Sequence, residues 1–181
     1  MIDPAWGPFL FDTSAESWLA RSEQPAIRNW IDAYWARHPI DVSAVTVLQR
    51  TRGYSLLWHA SSGERRTRIE AARIGYLSAL GRVWPLDTAI AIISAEIMAM
   101  LPEPPTPPKR SHKLTESRQE RLSRWRFDTM IAATALVAQL KLIHNNAADF
   151  EAIRSAIEIT PQRFPRLGSL SLIRCDSLLP L

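Results

Sequence analysis

Short apolar runs alternate along this chain with longer stretches in which apolar residues return every three or four positions. The two periods predict strands and helices in turn. Phe9-Leu10-Phe11 stops abruptly at Asp12-Thr13-Ser14, so a strand is expected to pass directly into a helix capped by a carboxylate or hydroxyl. From Gln24 to Arg37, Ile27, Trp30, Ile31 and Tyr34 share one helical face, and His38-Pro39 closes that helix. Val42-Ser43-Ala44-Val45 predicts a second strand, after which Thr46 can cap a helix carrying Val47, Leu48, Gln49 and Gly53.

The same reading continues through the second half. Ile69, Ala72, Tyr76, Leu77 and Leu80 place one face on a helix from Glu64 to Leu80, with Gly81 as its stop. Val83-Trp84 is a short strand, and Asp87 caps an apolar helix from Thr88 to Leu101. Pro102, Pro104, Pro105, Pro107 and Pro108 can neither continue that helix nor join a central strand, so an extended surface connector is predicted. Beyond it, Thr115 to Phe127 is polar and helix-favouring, anchored by Leu122 and Trp125. Asp128 is then expected to cap a separate apolar helix. A strand at Leu142-Ile143-His144, a helix from Asp149 to Ile157, a turn around Pro161 to Pro165 and a last strand at Leu170-Ser171-Leu172-Ile173 complete the chain.

Apolar strands that alternate with helices specify an α/β fold. Its mainly parallel sheet of about five strands is covered on both faces, and its ligand site lies beyond the carboxyl ends of the strands. At 181 residues and 46% hydrophobic, the chain is expected to form one domain over 1–181, with the proline-rich connector and basic helix inserted at about 102–126. The single cysteine, Cys175, has no internal disulfide partner, and Met1-Ile2-Asp3-Pro4 lacks the pattern of a secretory leader. The longest apolar segments fall short of the ~20 residues that span a bilayer. A cytoplasmic protein with no membrane association is the expectation.

The net charge of +4 and pI near 9.7 allow a polyanionic partner. Lys109, Arg110, Lys113, Arg118, Arg121 and Arg124 concentrate in one segment around Trp125, where they could grip and stack on RNA, although a solvated helix face explains them equally well. Most of the seven tryptophans are assigned to the core. Carboxylates and amides recur at element edges: Asp12 after the first strand, Gln49 one turn into the helix after the second, and Asn146 after the Leu142 strand, with Asp149 just beyond. Taken singly, Asp12, Asp128 and Asp149 are most simply helix caps.

The blocks Phe11-Asp12-Thr13-Ser14, Val42 to Gln49 with Gly53, Trp84-Pro85-Leu86-Asp87, Arg126 to Ala135, and Leu142 to Asn146 with Asp149-Phe150 together resemble the PIN-domain ribonucleases, and among them the VapC-type toxins. The resemblance implies a PIN-like three-layer fold and a Mg²⁺ or Mn²⁺ site. Asp12 and Asp128 would be ligands there, with Asn146 or Asp149 completing the rim and Thr13, Ser14 and Thr134 supporting them through hydroxyls. It implies hydrolysis of RNA phosphodiester bonds, tRNA or rRNA among the candidates, by water activated at the metal. A cognate antitoxin and a homodimer are implied as partners. Gln49 stands at a position that is acidic in the pattern, so weakened catalysis is expected; the alternative is a catalytically degenerate PIN-like module that binds RNA or protein.

Overall fold

The computed structural model describes residues 2–107, 116–164 and 167–178. Strands β1 (Phe9–Phe11), β2 (Asp41–Ser43), β3 (Val83–Trp84), β4 (Lys141–His144) and β5 (Leu172–Arg174) form one sheet in the order β3-β2-β1-β4-β5. Every neighbouring pair is parallel, with Leu10 opposite both Asp41 and Leu142. Around it lie α1 (Thr13–Arg21), α2 (Pro25–Trp35), α3 (Ala44–His59), α4 (Gly63–Ala79), α5 (Thr88–Met100), α6 (Arg118–Ala138) and α7 (Ala147–Ile159).

The period-two alternation of β1 divides the core. Leu10 and Leu142 face a cluster built from Ile90 and Ile97 of α5, Ile131 and Ala132 of α6, and Phe150 and Ile153 of α7. Phe9, Phe11, Val42 and Ile143 face Leu19 of α1 and Ile27, Trp30 and Tyr34 of α2. Each fully buried large side chain contributes about 1.5–3 kcal/mol, so strands this short are held mainly by their two helical covers. The α3–α4 pair departs from this plan, because α4 contains no buried residue and packs chiefly on α3.

Several expected boundaries move. Ser43, not Thr46, caps α3: its hydroxyl accepts from the Val45 N–H at 3.2 Å, which ends β2 two residues early. The expected last strand begins later, at Leu172. Gly81 follows the end of α4, and a side chain there would collide with Pro39, so its role is close passage of two chain segments. Among the described residues only Trp30 and Trp125 are buried tryptophans, whereas Trp6 and Trp35 are more than half exposed.

The largest correction concerns Asp128. Two helices were expected, the second capped by Asp128, but α6 runs unbroken from Arg118 to Ala138. Leu122, Trp125, Thr129, Ala132 and Leu136 continue one stripe at spacings of three and four straight through this region, and no glycine or proline interrupts it. The true start is Ser117, whose hydroxyl accepts from the Glu120 N–H while the Glu120 carboxylate accepts from the Ser117 N–H.

Candidate metal centre

A parallel sheet places every strand's carboxyl end on one rim. Because β1 is flanked by β2 on one side and β4 on the other, the chain reverses its direction of winding at β1 and β4, which opens a crevice at that rim. Asp12 leaves β1 at this point and Asn146 follows β4. Gln49 reaches the same area from α3, where its Oε1 accepts from the Thr13 hydroxyl.

Asp128 arrives by a length match. From Asp128 to the end of α6 at Ala138 the helix rises about 15 Å. That nearly equals the roughly 13 Å of β4, which runs back from the next turn. The carboxylate therefore stands level with the strand ends, and Asn146 Nδ2 donates to its Oδ2 at 3.0 Å. The part of α6 before Asp128 overhangs the rim.

The two aspartates are almost fully enclosed, at 3% exposure for Asp12 and 8% for Asp128. Asp12 is held as the cap of α1: Ser14 Oγ donates to its Oδ2 at 2.7 Å and the Ala15 N–H donates to Oδ1. Burial pushes its pKa up to about 6, against the pull of the hydrogen bonds from Ala15, Ser14 and Asn145. Asp128 is pushed further, to about 8, by burial first and then by the charges of Asp12 and Asp149, with Arg124 and Asn146 opposing. Enclosed carboxylates that repel one another are the situation a cation relieves.

Asp149 behaves differently. It is completely buried, its Oδ2 accepts from Arg124 Nη1 at 2.9 Å and from Asn146 Nδ2 at 2.6 Å, and its Oδ1 accepts from the Thr106 hydroxyl at 2.8 Å. Among the described residues no three His, Cys, Asp or Glu side chains are gathered as a ready metal-binding group. The donor set that remains fits a Mg²⁺- or Mn²⁺-type ion: two hard carboxylates on facing elements, with an amide beside them.

The other expected residues divide. Thr13 and Ser14 border the site, bonded to Gln49 and Asp12. Thr134 lies farther down α6, where it meets Ser43 at 3.2 Å and donates to Met130 O, joining α6 to the end of β2. Trp125 is corrected: it is 1% exposed and its Nε1 donates to Leu101 O at 2.9 Å, so it presents no ring face for stacking. Arg118 and Arg121 pair with Glu103, and Arg124 pairs with Glu116 and Asp149; Arg121 and Arg124 are thereby cross-links of this segment, while Arg118 stays largely exposed. Lys109, Arg110 and Lys113 lie outside the described residues. The Asp149–Arg124 pair has no signal in the sequence, because it joins residues 25 positions apart on different helices. His144, buried with both ring nitrogens unpartnered, is lowered to about 4 by burial and packs on Phe150.

No family model matches the chain, and no curated protein matches it by sequence. Solved structures do. A chain of VapBC2 from Rickettsia felis, crystallised with a promoter DNA fragment, superposes with a TM-score of 0.56 at 14% identity over 92% of this chain and 97% of that one. A chain of DNA-bound VapBC from Salmonella typhimurium gives 0.55 at 22% identity over 92% and 97%. A chain of FitAcB from Neisseria gonorrhoeae gives 0.56 at 19% identity over 93% and 99%. Sequence identities this low make the likeness one of fold, and that fold is the PIN-like three-layer α/β arrangement with a five-stranded parallel sheet. Among the described residues, no helix is long and apolar enough to cross a membrane.

Proposed function

We propose that the chain is a divalent-metal-dependent endoribonuclease and the toxin of a toxin–antitoxin pair. The observation that carries this reading is the enclosed, mutually repelling pair Asp12 and Asp128 at the switch point of the sheet. The fold shared with chains of VapBC and FitAB complexes supports the toxin assignment and a cognate antitoxin as partner.

Asp12 and Asp128 would hold a Mg²⁺ or Mn²⁺ ion. Once bound, such an ion supplies a water of lowered pKa and neutralises charge that builds on a scissile phosphate. The chain's own residues set the conditions for that chemistry. Ser14 and the first N–H groups of α1 fix Asp12, while Asn146 fixes the Asp128 carboxylate through Oδ2. Their burial keeps the surrounding dielectric low, which strengthens the hold of two carboxylates on one cation. Gln49 offers a carbonyl oxygen at this rim but no charge and no proton-accepting carboxylate.

The neutral side chain at Gln49 favours a second reading, a PIN-like module that binds RNA or protein without cutting. Purified protein challenged with labelled RNA and DNA, with Mn²⁺ or with chelator, separates the two. Internal cleavage of RNA only in Mn²⁺ supports the nuclease; RNA retention without cleavage at any Mn²⁺ concentration supports the binding module. Cleavage confined to DNA overturns the ribonuclease assignment.

A further inference from the structure

The proposed metal centre sits beside a cation belonging to the chain itself. α6 continues past the strand ends, and one turn before Asp128 it carries Arg124 on the same face. Arg124 Nη1 donates to Asp149 at 2.9 Å, while Nε and Nη2 each donate to Glu116 at 3.1 Å, a two-pronged grip that holds the guanidinium in one orientation. Both oxygens of Asp149 are therefore committed, Oδ1 to Thr106 and Oδ2 to Arg124 and Asn146. Asp12 and Asp128 differ in kind: their hydrogen-bond donors are neutral groups, Ser14 and Ala15 for one and Asn146 for the other.

We infer that Arg124 is a positioning residue that takes Asp149 out of the ligand set and leaves the divalent ion to Asp12 and Asp128. The inference rests on reading that pair as a metal site. A third free carboxylate here would add charge and ligand oxygens to the site and tighten its hold on a cation; the pinned guanidinium occupies Asp149 Oδ2 and offsets part of that charge before an ion arrives. Glu116 completes the device, because without its grip the long arginine side chain could turn toward Asp128 and compete there. Asp149 is left to orient the Asn146 amide, whose Nδ2 also reaches Asp128.

The test is an equilibrium Mn²⁺ titration of the full chain, read from the electron paramagnetic resonance signal of the free ion, with no substrate present. Arg124→Gln frees Asp149 and is expected to bind Mn²⁺ on the order of tenfold more tightly than wild type. Asp149→Asn alone is expected to leave binding within about threefold of wild type, yet to erase the gain when added to Arg124→Gln. Arg124→Lys keeps the charge but not the two-pronged grip, so its gain in Mn²⁺ affinity is expected to fall between wild type and Arg124→Gln. Wild-type binding in a folded Arg124→Gln overturns the inference, as does a loss on the order of tenfold or more in Asp149→Asn alone. The Asp149→Asn arm decides the matter if Arg124→Gln does not fold. Asp128→Asn separates the two levels: loss of Mn²⁺ there with no effect of Arg124→Gln overturns the Arg124 assignment alone. Absence of Mn²⁺ binding in every protein overturns the metal site together with it.

Discussion

Asn146 donates its side-chain amide to Asp128 at 3.0 Å, joining the turn after β4 to the interior of α6. A helix and a strand that run in opposite directions are thus tied at matching heights, and the acid on the helix is delivered to the rim where Asp12 leaves β1. The candidate centre depends on this tie more than on either aspartate's neighbours in sequence.

The raised pKa values of Asp12, about 6, and Asp128, about 8, predict how the metal-free protein responds to pH. Unfolded, both carboxyls lose their protons near pH ~4. In the folded state they retain them to higher pH, so above that point the folded chain binds more protons and its stability falls as pH rises, the loss being complete past about pH 8. Mn²⁺ competes with those protons, so the stabilisation it provides should grow over the same window. Thermal melts from about pH 5 to about pH 9, with and without Mn²⁺, check both trends. A Mn²⁺ shift that is constant across this range contradicts them.

Gln49→Glu should raise chelator-sensitive RNA cleavage and lower the Mn²⁺ concentration needed for half-maximal rate. The Thr13 hydroxyl that donates to Gln49 Oε1 can donate equally to a carboxylate, so the substitution adds charge at the rim without breaking that bond. Cleavage rates measured over a Mn²⁺ titration decide it; a Glu variant no faster than wild type means that position 49 is not the deficit.

Trp125→Ala should destabilise the fold by about 3–5 kcal/mol, since it empties a buried site and also strands the Leu101 carbonyl that Trp125 Nε1 now satisfies. Urea unfolding measures the cost. A variant as stable as wild type but weaker toward RNA would return Trp125 to the surface role that its arginine neighbours suggest.

Much of the fold was legible in the sequence because two periods carried it. Phe9-Leu10-Phe11 and Leu142-Ile143-His144 became β1 and β4, and the Ile27, Trp30, Ile31, Tyr34 stripe became the buried face of α2. At Asp128 a change of polarity along the chain mimics a helix boundary. α6 turns polar only where it overhangs the rim, while its apolar stripe runs on underneath. The basic segment left an RNA grip and a solvated helix face equally open. Charge density cannot reveal that Arg118 and Arg121 meet Glu103, or that Arg124 meets Glu116 and Asp149, because those partners come from a connector and another helix. Asp12, Asn146 and Asp149 stand at element edges in the sequence, but Asp128 joins them only through the family resemblance, and how the four are bonded to one another is tertiary.

The central claim is that Asp12 and Asp128 together hold the ion on which RNA cleavage depends. Its most direct measurement is the rate of internal RNA cleavage by wild type, Asp12→Asn and Asp128→Asn, each shown to be folded, across a Mn²⁺ titration. Wild type should cut in a chelator-sensitive manner while each variant loses on the order of a hundredfold or more at every Mn²⁺ concentration. Cleavage by either variant at the wild-type rate would contradict the claim.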